Sequence, residues 1–172
     1  MHYRYGKALN YAQDFATNPK IEPLKGQGDL RVDQGALLLV PGSSVTLPTI
    51  NLSLNRALIS FDFDNAQLDS ATSLVMEGSG MSSVTMVLGG QISQENRSYP
   101  FMKYKPHSLR LSIEARRGAY DIAWGDQHFL ARVGKTGSVN LRLNQLVSSA
   151  TELRINSIVS VALPLNEKSD EP

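Results

Sequence analysis

The chain of 172 residues contains no cysteine. This excludes a disulfide framework and any metal site that is built on thiolates. An excess of charge of one sign is also lacking, because 17 basic residues stand against 16 acidic ones. A surface that binds nucleic acid needs a basic patch to neutralise phosphates, so this function is disfavoured. No apolar run approaches the roughly 20 residues of a membrane-spanning helix, and we expect no membrane span.

The length of the chain suits one domain with a substantial core. We place this domain at residues 1–163 and expect residues 164–172 to form a polar, acidic tail. The first residues, 1–6, lack the apolar segment of a signal peptide. We therefore expect either a cytosolic protein or a mature or excised domain, and the second case favours an extracytoplasmic or secreted location.

The most regular part of the sequence runs from Leu109 to Leu163. Apolar and polar residues alternate there with a period of two, which is typical of strands with one buried and one solvated face. Turns are predicted at Arg117-Gly118 and Gly125-Asp126. This part is predicted to form five strands, which begin near Leu109, Ala119, His128, Val139 and Leu153.

The first half of the chain shows the same pattern in shorter pieces. An edge strand and a loop are predicted over residues 1–28, and a hairpin over residues 30–40 has Gly35 in its turn. Residues 89–106, with their glycines, prolines and polar spacers, are predicted to be the longest loop and a place for binding. About ten to twelve short strands predict an all-β fold, an antiparallel two-sheet jelly-roll sandwich, with an up-and-down barrel as the geometric alternative.

Three parts of the chain resemble the concanavalin A-like lectin/glucanase superfamily, a jelly-roll group that includes laminin-G-like domains. Residues 28–37 resemble the early hairpin of these domains. Residues 107–111 and 120–126 resemble the central hairpin, although the turn Gly125-Asp126 reverses the usual order. Residues 137–141 and 153–161 resemble the closing strands.

This resemblance implies a non-catalytic module that binds carbohydrate or mediates adhesion. Two alternatives stay open: a glycoside hydrolase or lyase relative with its acids on separate strands, and a structural β-sandwich that binds a protein partner. We expect no cofactor. Relatives of this kind often bind calcium through loop carboxylates and carbonyls, and calcium would fit at Asp64, Asn65 and Asp69, but an ordinary Asx-rich turn is the favoured interpretation of these residues.

Catalytic and metal motifs are missing from the sequence. The E-x-D-x-x-E arrangement of the family's glucanases does not occur, and the nearest substitute is the pair Asp62 and Asp64, whose ordinary role would be that of solvated residues on a half-buried strand. His2, His107 and His128 show no metal-ligand spacing and are expected to be surface or hydrogen-bonded residues. Whether the chain is an enzyme stays open, with a non-catalytic role favoured.

Sugar binding needs exposed aromatic faces and planar hydrogen-bonding side chains. The candidate ligand-binding residues are Tyr99, Tyr104, Trp124, Arg116 and Arg132, with Asp121 and Gln127 nearby. Trp124 alternates in phase with Tyr120 and Ile122, which favours a role in packing for this residue. We expect the ligand on the concave sheet face or around residues 89–106.

Overall fold

The computed structural model describes residues 9–63, 72–102, 108–145 and 152–164, which form sixteen β-strands. The strands are β1 (Leu9–Asp14), β2 (Lys25–Gln27), β3 (Leu30–Asp33), β4 (Ala36–Leu39), β5 (Ser44–Thr46), β6 (Ile50–Asn51), β7 (Asn55–Phe63), β8 (Thr72–Gly78), β9 (Val84–Val87), β10 (Gln91–Gln94), β11 (Arg97–Pro100), β12 (Ser108–Arg116), β13 (Ala119–Trp124), β14 (Gln127–Arg132), β15 (Ser138–Gln145) and β16 (Leu153–Pro164). Within these ranges there is no helix that is long and apolar enough to cross a membrane.

The strands form two antiparallel sheets. Sheet 1 has the order β14-β13-β12-β7-β16-β4-β3, and β1 also pairs with β16. Sheet 2 has the order β11-β10-β9-β8-β15-β5-β2, and β6 also pairs with β15. The chain crosses repeatedly between the two sheets. As a result, strands that are neighbours within a sheet, such as β7 and β16, are far apart in sequence. The predicted all-β jelly-roll sandwich is confirmed, whereas the predicted ten to twelve strands are too few because short strands such as β2 and β6 carry little periodicity.

The core lies between the two sheets and consists of the apolar residues that alternate along each strand. On β7 the side chains of Ile59, Phe61 and Phe63 are buried, and the Phe61 and Phe63 rings stack with their centroids 6.0 Å apart. Buried residues of sheet 2, such as Met76 and Leu141, belong to the same core cluster. The inner face of sheet 1 is therefore filled, and its outer face carries the intervening, more polar side chains.

The strands predicted over residues 109–163 are confirmed as β12 to β16. The early hairpin is confirmed as β3 and β4, which are joined by Gln34 and Gly35 with φ angles of 51° and 77°. Two consecutive residues in the left-handed region are the signature of the tight hairpin turn whose twist matches that of the flanking strands. Glycine is favoured at the second position because a residue with a Cβ adopts a φ near 77° only with strain.

The loop predicted over residues 89–106 is wrong for its central part. Residues 91–100 form the hairpin of β10 and β11 at the edge of sheet 2, with Glu95 at φ 55° in the turn. The sequence looks like a loop because Ile92 is the one aliphatic residue that β10 buries. The second buried residue, Gln94, is polar, and its side-chain amide is hydrogen-bonded by Arg132 of the other sheet and by Ser82 and Arg97. Residues 103–106 lie outside the described ranges.

Two buried tyrosines allow a test of hydrogen-bond satisfaction in this core. The Tyr11 hydroxyl is buried and has no hydrogen-bond partner among the described residues, whereas the Tyr120 hydroxyl accepts from the Gly137 amide at 2.7 Å and donates to its carbonyl. We expect Tyr11→Phe to raise the free energy of unfolding by about 1 kcal/mol and Tyr120→Phe to lower it by about 1–2 kcal/mol. Urea denaturation at pH 7 measures both, and a destabilised Tyr11→Phe protein would contradict the assignment.

The Tyr11 hydroxyl also predicts that the stability of the protein depends on pH. Burial raises the pKa of Tyr11 from 10.0 to about 12 in the folded protein. The folded state holds this proton more tightly than the unfolded chain does. The free energy of unfolding therefore does not depend on this group below pH 10, and it falls as the pH rises from 10 toward 12. Between pH 10 and 12 the Tyr11→Phe protein should therefore lose less unfolding free energy than the parent protein.

Candidate functional site

The candidate site lies on the outer face of sheet 1, where strand register brings side chains from four strands into rows. Ser112 on β12 lies beside Leu58 on β7 and Ala123 on β13, and Leu58 lies beside Val161 on β16. These residues point away from the core because their neighbours along each strand are the buried ones. One row therefore crosses the middle of the sheet with small or medium-sized side chains.

A second row lies next to the first. Arg110 on β12 lies opposite Ser60 on β7, and Ser60 lies opposite Val159 on β16. On the side of β13 this row ends near the turn after Trp124, where Gly125 has φ 61°. The short side chains in the two rows leave the sheet surface hollow.

The hollow is a groove of about 340 Å³. Its described lining residues are Leu58, Ile59, Ser60, Arg110, Leu111, Ser112, Ala123, Gly125, Val159 and Val161. The floor is mostly apolar, and the polar groups in it are two serine hydroxyls and one guanidinium. A volume of this size falls at the lower end of the roughly 300–1,000 Å³ of small-molecule sites.

A cluster around Asp62 borders the groove at one end. The Asp62 carboxylate accepts hydrogen bonds from the Ser108 hydroxyl at 2.8 Å and from the Ser157 hydroxyl at 3.0 Å. The Arg110 guanidinium donates to the Ser60 hydroxyl at 2.6 Å and lies 3.8 Å from Asp62. Asp62 is on the face opposite Phe61, as the alternation predicts, whereas Asp64 lies outside the described ranges.

A second charged cluster borders the groove on the side of β13 and β14. Asp121 is buried, with a side chain only 9 % exposed, and its carboxylate contacts Arg116 at 2.9 Å and His128 Nδ1 at 2.9 Å. Arg116 also bonds Glu114 at 3.0 Å. A carboxylate that is paired with an arginine accepts hydrogen bonds, so Nδ1 of His128 is the donor. His128 is thus a hydrogen-bonded surface residue, as expected from the sequence.

The structure does not bring the five candidate ligand residues into one site. Arg116 and Arg132 lie in the same row of the outer face, one on each side of Ala119. Trp124 belongs to the opposite face of the same sheet and packs against the core. Tyr99 is 53 % exposed at the edge of sheet 2, where its ring contacts Phe129.

The remaining residues singled out in the sequence are not among the described residues that line the groove. Tyr104, His2, His107 and the possible calcium turn at residues 64–69 lie outside the described ranges. Gln127 is partly buried, and its side chain accepts a hydrogen bond from the Met102 amide at 2.9 Å. Among the described residues no group of three or more histidine and carboxylate side chains is placed to hold a metal ion.

The groove residues themselves were missed by reasoning from the sequence. The alternation indicates that Ser60, Arg110 and Ser112 are on solvated faces, but it does not indicate which strands are neighbours. A useful signal is the run of small residues on adjacent polar faces. It becomes visible only when β12 is known to pair with β7 and β13, and β7 with β16.

No protein-family model matches the chain, and no curated protein matches it in sequence. Solved structures do match. The carbohydrate recognition domain of Emp47p superposes with a TM-score of 0.59 at 9 % identity, over 90 % of this chain and 97 % of that one. The chain has the concanavalin A-like jelly-roll fold.

Two further structures share the concanavalin-like fold. The transglycosylase Crh5 superposes with a TM-score of 0.58 at 14 % identity and covers 90 % of this chain and 85 % of its own. Domain 4 of AbnA, an extracellular arabinanase from Geobacillus stearothermophilus, has a TM-score of 0.55 at 15 % identity and covers 94 % of this chain and 97 % of its own. That domain was solved in complex with arabinotriose. At these identities the likeness shows the fold.

Proposed function

We propose that this protein is a non-catalytic carbohydrate-binding module and that a glycan lies in the groove on the outer face of sheet 1. The observation that carries the proposal is the groove itself, about 340 Å³ of space across β7, β12, β13 and β16. A sheet that served only to cover the core would be filled at these positions by longer side chains. The small residues Ser60, Ser112 and Ala123 instead leave room for a ligand.

The lining of the groove suits a sugar ring. Leu58, Val159 and Val161 offer an apolar surface to the C–H groups of the ring. Ser60 and Arg110 offer hydrogen-bonding groups to its hydroxyls. The guanidinium is a planar donor that is already oriented by its bond to Ser60, so little conformational entropy is lost when it binds a ligand.

The structural neighbours support the same proposal. A carbohydrate recognition domain and a domain solved with arabinotriose both superpose over at least 90 % of this chain. Crh5 is a transglycosylase with the same fold, so the neighbours are compatible with an enzyme as well. The choice between the two functions depends on the carboxylates.

The described carboxylates on this face favour a non-catalytic role. Asp62 lies opposite Ser108, and Glu114 is six residues farther along β12, which corresponds to about 20 Å. Glycosidases need two carboxylates about 5–10 Å apart. Glu114 and Asp121 are close to each other, but Arg116 bonds both of them. A carboxylate in an ion pair and with little exposure is a poor nucleophile or proton donor.

A filled groove should lose the glycan. We expect Ser112→Trp, which places an indole in the groove, to weaken binding to any captured polysaccharide by at least about tenfold, or about 1.4 kcal/mol. Binding is measured by affinity electrophoresis over a panel of plant, bacterial and animal polysaccharides, followed by calorimetry with oligosaccharides. Ser98→Trp, at an exposed serine of β11 on the other sheet, is the matched control and should bind normally.

Two outcomes would overturn the proposal. The first is equal binding by the Ser112→Trp and parent proteins, which would place the glycan elsewhere. The second is the absence of binding across the whole panel. The release of shorter sugars from a bound polysaccharide would instead support the glycoside hydrolase alternative, which Asp62→Asn and Glu114→Gln would then test separately.

A further inference from the structure

The groove contains a charge that neutral sugars do not require. Among the described residues that line it, Arg110 is the charged one, and its side chain is 69 % exposed. An arginine whose role was limited to cross-strand pairing would be expected to direct its guanidinium fully into a salt bridge. Here the Asp62 oxygen is 3.8 Å away, which is beyond hydrogen-bond distance.

The guanidinium is held in place but retains donors. Its bond to the Ser60 hydroxyl uses one of the five N–H groups of an arginine. Asp62 receives its short hydrogen bonds from Ser108 and Ser157, at 2.8 and 3.0 Å. Arg110 is therefore oriented by its neighbours, while N–H groups remain for a ligand in the groove.

The surrounding charges also favour an anion. On the outer face of β7, β12, β13 and β14 four arginines stand against three carboxylates. These residues are Arg56, Arg110, Arg116, Arg132, Asp62, Glu114 and Asp121. Glu114 and Asp121 share the single guanidinium of Arg116, and Asp121 is further bonded by His128, so these four strands carry one more arginine than carboxylates.

The described lining of the groove contains no aromatic ring on which a sugar could stack. Stacking on aromatic rings is a common source of affinity for neutral sugars, so another source is needed here. A charge-assisted bond from a guanidinium to a carboxylate is among the stronger polar contacts in proteins, and it is often bidentate.

We propose that the ligand is an acidic saccharide and that Arg110 binds the carboxylate of a uronate residue in the groove. This inference rests on the proposed function, because it specifies the class of glycan that the same groove takes. The uronate carboxylate bonds the free N–H groups of Arg110, and its ring lies over the apolar floor formed by Leu58, Val159 and Val161. Asp62, beside the same guanidinium, weakens the attraction for the anion.

The test compares each acidic oligosaccharide with its own neutral form. Oligogalacturonates, oligoalginates and hyaluronan fragments are titrated beside the same oligosaccharides after reduction of the carboxyl groups to alcohols. We expect binding of at least one acidic form, a loss of at least tenfold on carboxyl reduction, and weaker binding as salt increases. A heavily sulfated glycan serves as a probe of charge density.

Three variants define the role of Arg110. Arg110→Gln should remove the preference for the acidic form, and Arg110→Lys should retain only part of it because an ammonium does not form the bidentate pair. Asp62→Asn should tighten binding of the acidic form severalfold and leave the reduced form unchanged. Arg142→Ala, which removes an arginine from the outer face of sheet 2, is the control and should change neither affinity.

The outcomes separate this inference from the proposed function. Equal binding of acidic and reduced forms, or a retained preference in Arg110→Gln, would overturn the inference and leave a neutral-glycan module. Binding that simply follows charge density, strongest for the sulfated glycan, would also overturn it. A failure to bind acidic, reduced and neutral glycans alike would overturn the proposed function itself.

Discussion

Replacement of Phe61 by alanine is expected to lower the free energy of unfolding by about 3–5 kcal/mol. Phe61 lies in the middle of β7, which pairs with β12 on one side and β16 on the other, and its side chain has no exposed surface. Its ring stacks in parallel on that of Phe63 at 6.0 Å. The truncation leaves a cavity that the two neighbouring strands cannot fill, and it also removes the aromatic contact.

Equilibrium denaturation in urea measures this loss, with an unchanged slope as the sign that the two-state transition is retained. Tyr99→Ala is the matched control, because it truncates an aromatic side chain that is 53 % exposed at a sheet edge. We expect that control to cost less than about 1 kcal/mol. Similar losses in the two variants would mean that β7 is not the centre of the core. Domains have about 5–15 kcal/mol of total stability, so the Phe61 effect should be evident at low urea.

The importance of Phe61 can be predicted from the sequence alone. Ile59, Phe61 and Phe63 alternate with polar residues, and a period of two places all three on one face of a strand. The same argument places Trp124 on the buried face, opposite the face that carries Arg116. Local alternation is a property of adjacent residues, so one sequence is enough to predict which side chains enter the core.

The groove could not be predicted in this way. Its residues come from β7, β12, β13 and β16, and the segment between Phe63 at the end of β7 and Leu153 at the start of β16 is about half of the chain. Alternation indicates that Ser60 and Val159 are on outer faces. It does not indicate that they are neighbours, because that depends on the pairing of distant strands. The sequence therefore predicts the fold class and the exposed face of each strand, whereas the site depends on strand order.

Gln94 shows the same limit at the edge of the sandwich. It falls in a segment that the sequence predicts as a loop, and a glutamine is an unusual residue to bury. The structure explains its burial through hydrogen bonds to the Arg132 backbone of the other sheet, to the Ser82 carbonyl and to the Arg97 guanidinium. The Gln94 side-chain oxygen accepts from the Arg132 amide at 2.8 Å, and its nitrogen donates to the Arg132 carbonyl at 2.8 Å and to the Ser82 carbonyl at 3.0 Å. The amide group thus pairs with β14 as a backbone peptide of a neighbouring strand would.

We expect Gln94→Ala to lower the free energy of unfolding by about 2–4 kcal/mol, because it leaves backbone groups of Arg132 and Ser82 without their partner at a position that excludes water. Gln91→Ala, on the same strand but exposed, is the matched control and should cost less than about 0.5 kcal/mol. Amide hydrogen exchange locates the effect: the Arg132 amide should lose protection, whereas that of Ile122 in β13, which has a strand on each side, should retain it. Retained protection at Arg132 in the Gln94→Ala protein would show that this amide does not depend on Gln94. It would contradict the role of this side chain as a hydrogen-bonded link between the two sheets.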